Sequence, residues 1–476
     1  MLLRVVWVCF LLFVILLWSL PLDGPSGGAI VGDGERQLLF EYPNAAAAAA
    51  AAAPLDLVNY PLSSPLSPPL PPPLEDESIY VIGDLHGDVA CARQWLKKTG
   101  LISGNLTDSS SSSSWEWTDP ASTLVFVGDY IDKGPQSKQV LDLVMSLSLR
   151  FPKQVVALLG NHEIEALWDR KLTSRQRRLY YHLPWSAVHP TELFNWVPAE
   201  SVTDDTRKVV AVLHDTLLHK VYGENRLRST ELAPEGPNSI VNLVEPASFR
   251  PTVKRELANL QRAYVEGFAS STPLGKWLES RPITHASSDG KLLFLHGGVD
   301  PALVNGPGSV FPNGLSDLAL LNEDFAANSG DDTLAAYMKS PPGRAVYDLV
   351  TYRGNHGNCA SITALKRALG VSHIVVGHTP DEDVRVNCNG AFLAADSLLS
   401  RWIRTSGNFY CRGDEVELSN NGRFTCDAVG DVCNGQIVKF TKKGVANAAW
   451  KLQIVAFKGD EGKLIASPVV ASNLLF

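Results

Sequence analysis

The chain has 476 residues, is 45% hydrophobic and 19% charged, and carries a formal net charge of -8. That length accommodates one large catalytic domain with insertions or two ordinary domains. The negative balance excludes a general affinity for nucleic acid or anionic headgroups, so an anionic substrate must be caught by local positive charge, which metal ions supply efficiently.

In chain order, Arg4 precedes a run over residues 5–20 that is apolar except for Ser19 and is broken by Pro21. Residues 1–22 therefore read as a signal peptide or an uncleaved signal anchor, at the border of the ~20 residues a membrane span needs. Residues 23–77 read as a low-complexity Ala/Pro/Ser linker, with an alanine run at 45–53 and a Pro-Ser-Leu tract at 61–73 that cannot build a core. The expected location is the secretory pathway, lumenal or membrane-anchored through the N-terminal segment. A plastid transit peptide is the alternative, against which Asp33, Glu35, Glu41 and Asp56 count.

The globular body is expected over residues 78–456, with 457–476 as a tail. Apolar strands at 79–82, 124–127 and 155–159 each run into a glycine and then a polar donor. The first opens Gly83-Asp84-Leu85-His86-Gly87-Asp88, the second Gly128-Asp129-Tyr130-Ile131-Asp132-Lys133-Gly134, the third Gly160-Asn161-His162-Glu163. Helical patterns follow at 88–98, at 136–149 and from Glu163. Residues 171–288 show no further turn of this kind and read as a largely helical insertion at the mouth of the site, where it would shape substrate access. Its histidines, His182, His189, His214 and His219, read as ordinary ones. Two more strands end in donors: 292–295 in His296-Gly297-Gly298, and 374–376 in Gly377-His378-Thr379-Pro380. Further strands are expected at 391–395, 436–440 and 449–456. Alternating strands and helices predict an α/β body, whose ligands gather at the carboxyl ends of the strands.

These residue types suit a pair of divalent ions about 3.5–4 Å apart sharing a carboxylate and a water. Asp84 and His86 would point at one ion, Asp129 would bridge, and Asn161, His296 and His378 would complete the other. Mixed imidazole, carboxylate and amide donors suit Mn first, with Fe or Zn as alternatives. The bridging hydroxide would attack phosphorus in line, His162 would protonate the leaving oxygen, and Asp132 would hold its imidazole.

Gly-Asp-x-His-Gly, Gly-Asp-x-x-Asp-Lys-Gly, Gly-Asn-His-Glu, His-Gly-Gly and Gly-His-Thr, in this order, resemble the phosphoprotein phosphatase family of calcineurin-like metallophosphoesterases. Tyr352-Arg353-Gly354 followed by Val375-Val376-Gly377-His378-Thr379-Pro380 is most similar to its bacterial-type branch, the Shewanella-like protein phosphatases. The resemblance implies a β-sandwich of two mixed sheets flanked by helices, a dinuclear centre and direct hydrolysis of phosphoprotein monoesters. It assigns Asp84, His86, Asp129, Asn161, His296 and His378 as metal ligands, and His162 with Asp132 as the catalytic pair. Lys133, Arg353 and Asn161 fall to phosphate binding. Lys133 departs from the family's usual arginine and offers a point charge in place of a two-pronged clamp, which shifts bidentate binding to Arg353.

The expected substrate is phosphoserine/phosphothreonine or phosphotyrosine in a protein. A nucleotide or dinucleoside polyphosphate hydrolase is the alternative, and a catalytically dead phosphoprotein-binding scaffold comes last. Of the seven cysteines, Cys91 and Cys359 fall in expected helices as buried thiols. Cys388, Cys411, Cys426 and Cys433 are candidates for two disulfides, Cys411 with Cys426 or Cys433 among the options. His356, near Arg353, reads as an exposed loop histidine.

Overall fold

The computed structural model describes residues 76–106, 114–170, 192–216, 239–306, 308–404, 416–418, 424–426, 433–444, 448–458 and 463–467. The expected leader at 1–22, the linker up to residue 75, and His182, His189, His219 and Cys411 lie outside them. Among the described residues no helix is long and apolar enough to cross a membrane.

In chain order the strands are β1 (Glu77–Ile82), β2 (Ile102–Ser103), β3 (Glu116–Trp117), β4 (Ser122–Phe126), β5 (Val155–Ala157), β6 (Thr284–Ala286), β7 (Leu292–Leu295) and β8 (His373–Val376). They continue with β9 (Arg385–Asn387), β10 (Phe392–Ala394), β11 (Val416–Leu418), β12 (Phe424–Cys426), β13 (Gln436–Lys442), β14 (Lys451–Lys458) and β15 (Lys463–Ser467). One mixed sheet has the order β15-β14-β13-β1-β4-β5, with β1, β4 and β5 parallel. The other has the order β6-β7-β8-β10-β9, with β7, β8 and β10 parallel. Helices cover the sheets, giving the mixed α/β architecture expected from the sequence.

The parallel strands are apolar along their length because both faces are buried. Ile79 and Val81 of β1, Val125 of β4, Leu292 and Phe294 of β7, Val375 of β8 and Leu393 of β10 share one cluster with Val438 and Phe440 of β13. Their neighbours Tyr80, Ile82, Leu124, Phe126, Leu293, Leu295, Ile374 and Val376 join a second cluster that includes the helices. A period of two thus sends alternate side chains to the layer between the sheets and to the helical layer.

Helix boundaries follow local chemistry. Asp88 caps the helix Val89–Thr99 by accepting from Cys91 N, and Gly100 closes it in a left-handed conformation. Within 171–288 the described segments are mainly helical, including Asp204–Thr216, Arg250–Gly267 and Pro273–Glu279. The exception is β6, an edge strand of the second sheet that pairs antiparallel with β7. The first sheet also extends through β15, inside the stretch read as a tail.

The cysteine expectation needs correction. Cys91 pairs with Cys433 and Cys359 with Cys388, so the two supposed buried thiols are both bonded. Sequence proximity among the four C-terminal cysteines was a poor guide, because the sheet brings the segment before β13 beside the helix after β1.

Asp289, after β6, accepts hydrogen bonds from Ser287 Oγ, Lys291 N, Lys442 Nζ and Trp450 Nε1, and so ties the β6–β7 turn to β13. Burial works to raise its pKa, but these donors outweigh it and hold it at about 2. A depressed carboxylate contributes stability above its unfolded pKa and loses it as pH falls through the folded value. The melting temperature of Asp289→Asn should therefore trail the wild type at neutral pH and converge on it between about pH 4 and about pH 2. A constant gap across that window would rule the linkage out.

Candidate metal centre

Six strand ends deliver polar side chains to one place. Asp84 follows β1, Asp129 follows β4, Asn161 follows β5, His296 follows β7, His378 follows β8, and Asp396 follows β10. His86 Nε2 lies 3.9 Å from Asp84 Oδ2 and 3.6 Å from Asp129 Oδ2. His296 Nε2 lies 3.1 Å from Asp129 Oδ2 and 3.2 Å from Asn161 Oδ1. The backbone N–H of His378 donates to Asp84 at 3.0 Å, and the rings of His296 and His378 meet edge to face at 5.0 Å. The structure thus brings together all six side chains expected from the sequence to be ligands. Asp129 is common to two ligand groupings, one with His86 and His162 and one with His296 and His378.

The turns that aim these groups are strained. His86, Asp129, Asp132, Lys133 and His378 all have positive φ, between 37° and 69°. Such conformations cost of order 1–3 kcal/mol each and persist only where packing over-determines them. Two glycines make the close approach possible. A β-carbon at Gly160 would strike the Asp129 carboxylate, and one at Gly377 would strike that of Asp84.

The donor set fits divalent cations. His86 Nδ1 donates to Ile131 O at 2.9 Å and His296 Nδ1 to Val127 O at 2.8 Å, which turns each Nε2 toward the carboxylates. His378 is held through the other nitrogen, Nε2 to Thr351 O at 3.1 Å. Carbonyl partners of this kind fix the tautomer and ring orientation of metal-binding imidazoles. Burial pushes His86 and His378 down to about 3, so both are neutral and able to ligate. Burial, then the carboxylates of Asp396 and Asp129, push Asp84 well above the usual range, and burial raises Asp396 to about 6. Buried carboxylates crowded this way call for compensating positive charge.

His162 differs from the other three. Its Nε2 faces the same centre, 3.8 Å from Asp129 Oδ2, but its Nδ1 meets Asp132 Oδ2 at 2.5 Å. Burial opposes protonation, yet the Asp129 and Asp132 carboxylates outweigh it and hold this imidazole up at about 9. An imidazole that keeps its proton is a donor, whereas neutral His86 and His378 each have a lone pair to offer.

Lys133 is half-buried beside this pair, close enough that its charge opposes protonation of both His86 and His162. Arg353 is exposed, with Nη1 donating to His378 O at 2.7 Å and to Thr379 Oγ1 at 2.9 Å, so its guanidinium is fixed at the rim. His356 is not an exposed loop residue. It is half-buried, edge-on to Phe392 at 5.1 Å, because the following segment folds back toward β10.

Several residues that build the site escaped the sequence reading. Glu163 is fully buried and accepts from the backbone N–H groups of Asp129, Tyr130, Ile131 and Gly160, locking the second motif to the third. Asp396 carried a signal, since it follows an apolar run as the other donors do. Asp88 and Arg401 form a buried pair, Nε to Oδ2 and Nη2 to Oδ1, both at 2.9 Å. Arg401 had no such local signature.

Residues 78–246 match the family model described as calcineurin-like phosphoesterase. Over 88 residues the chain is 36% identical to an uncharacterized protein of Schizosaccharomyces pombe, a match covering 18% of this chain and 24% of that protein. Over 160 residues it is 23% identical to a protein phosphatase 2A catalytic subunit of Dictyostelium discoideum, covering 34% of this chain and 45% of that one. These matches thus span less than half the length of the curated relatives. Among solved structures, the cold-active protein-tyrosine phosphatase of a psychrophilic Shewanella species aligns with a TM-score of 0.45 at 18% identity, over 82% of this chain and 80% of that one.

Proposed function

We propose that this chain is a metal-dependent phosphatase that hydrolyses phosphate monoesters of proteins, on phosphoserine/phosphothreonine or phosphotyrosine. The observation that carries the reading is the convergence of Asp84, His86, Asp129, Asn161, His296 and His378 from two sheets, with His162 beside them, its Nδ1 bonded to Asp132. Two divalent ions held by these six donors, Mn first with Fe or Zn as alternatives, would withdraw charge from the phosphoryl oxygens and acidify the attacking water. The chain's own residues do the rest. Arg353 and Lys133 supply fixed positive charge for the phosphate, with Asn161 beside it. His162 holds a proton on Nε2 for the leaving oxygen, and Asp132 keeps its ring oriented through Nδ1.

On the same proposal the chain works in the secretory pathway, lumenal or tethered by residues 1–22. Two disulfides among the described residues, one joining residues 342 apart in sequence, support an oxidising compartment.

The test is hydrolysis of para-nitrophenyl phosphate by the full chain before and after chelation. Activity should fall to background with chelator and return with added Mn, Fe or Zn. Absence of hydrolysis with every one of these metals would sink the proposal. A panel of phosphopeptides against dinucleoside polyphosphates then separates the phosphoprotein reading from a nucleotide hydrolase.

A further inference from the structure

The helical insertion reaches past the mouth of the site and grips the loop that carries Asp132. Glu192, fully buried, accepts from the N–H groups of Ser137 and Lys138 at 2.9 Å each, capping the helix that follows that loop. Asn195 Nδ2 donates to Pro135 O at 2.9 Å. Ser137 Oγ in turn accepts from Asp132 N at 3.0 Å. These contacts fix the loop's backbone. A separate contact fixes its side chain: Tyr264, on the helix Arg250–Gly267, donates its hydroxyl to Asp132 Oδ1 at 3.3 Å.

We propose that Tyr264 is a positioning residue for the Asp132–His162 pair, so that the insertion completes the proton-donating arm of the site. This rests on the phosphatase reading above. The two oxygens of Asp132 have separate tasks, Oδ2 toward His162 Nδ1 and Oδ1 toward the Tyr264 hydroxyl. A carboxylate held at one oxygen only can rotate about its terminal bond, and the imidazole would follow it. Held at both, it keeps His162 Nε2 turned to the centre. Tyr264 is itself immobilised, 2% exposed, with its ring edge-on to Trp196 and Phe268 at 5.1 Å each. Its hydroxyl keeps its proton, because burial and then the Asp132 carboxylate push its pKa well up. The 3.3 Å separation is longer than a tight O–H···O bond, as catalytic contacts often are before substrate binds.

The insertion thus has a role that its sequence did not suggest. It was expected to select what enters, and it also holds the acid in place. Tyr264→Phe keeps the ring between Trp196 and Phe268 and removes only the hydroxyl, and a thermal melt of the variant shows that the fold is retained before the kinetics are compared.

Two measurements on the full chain decide the matter. In Mn-loaded enzyme, Tyr264→Phe should lower kcat for phenyl phosphate about 5-fold with KM nearly unchanged, a fraction of the 10²–10⁴ typical of a general acid itself. It should have little effect on para-nitrophenyl phosphate, whose leaving group needs no proton, and no further effect in a His162→Asn background. In metal-free protein, the proton NMR signal of His162 Nδ1–H, identified by its loss in His162→Asn, should move in Tyr264→Phe. An equal loss on both esters, additivity with His162→Asn, or an unmoved resonance would overturn the assignment. A shifted resonance in a chain with no phosphatase activity would leave the positioning role standing and sink the phosphatase reading.

Discussion

Replacement of His162 by Asn should cut turnover of phenyl phosphate by about 100-fold or more while leaving metal content at the wild-type level. The reasoning is geometric and electrostatic together. His162 is the one imidazole of the cluster whose second nitrogen is held by a carboxylate, at 2.5 Å from Asp132, and the Asp129 and Asp132 carboxylates outweigh burial to hold its pKa up at about 9. The three imidazoles named as ligands are held by backbone carbonyls. Asn removes the proton donor without introducing a new charge beside Asp129. The check is paired: steady-state kcat on esters of differing leaving-group acidity, and metal per chain by elemental analysis. Loss of bound metal in proportion to activity would recast His162 as a ligand, and the division between donors and acid would fail.

The second large effect concerns stability. Removing Asp88 while leaving Arg401, or the reverse, should cost about 3–5 kcal/mol, because either change strands a charge in the interior. Asp88 is 0% and Arg401 8% exposed. Their contact is two-pronged, and Asp88 also accepts from Arg401 N at 2.9 Å and Cys91 N at 3.1 Å. Double replacement by apolar residues should cost less than the two single changes summed, since neither partner is left unpaired. Denaturant melts of the three variants measure this. A single-variant loss below about 1 kcal/mol would place the pair with exposed bridges, contrary to its burial.

The parallel strands and the principal donors could be read from the sequence because both are written locally. A strand buried on two faces is a continuous apolar run, and its carboxyl end is where a glycine and a donor must follow. Asp84, Asp129, Asn161, His296 and His378 all announce themselves this way. What could not be read depends on partners distant in the chain. The disulfides join Cys91 to Cys433 and Cys359 to Cys388 through tertiary proximity, with no spacing pattern to betray them. Tyr264 is one aromatic among many in the insertion, and only the docking of its helix brings it to Asp132. The edge strand β6 is three residues long and only half-buried over two of them, so no apolar run marks it.

The bond between Cys91 and Cys433 makes most of the body a covalent ring. A protease that clips any peptide link between those two positions, the insertion included, would open the ring without releasing a fragment. The clipped molecule would gain only the mass of one water until treated with a thiol, and then separate into two pieces.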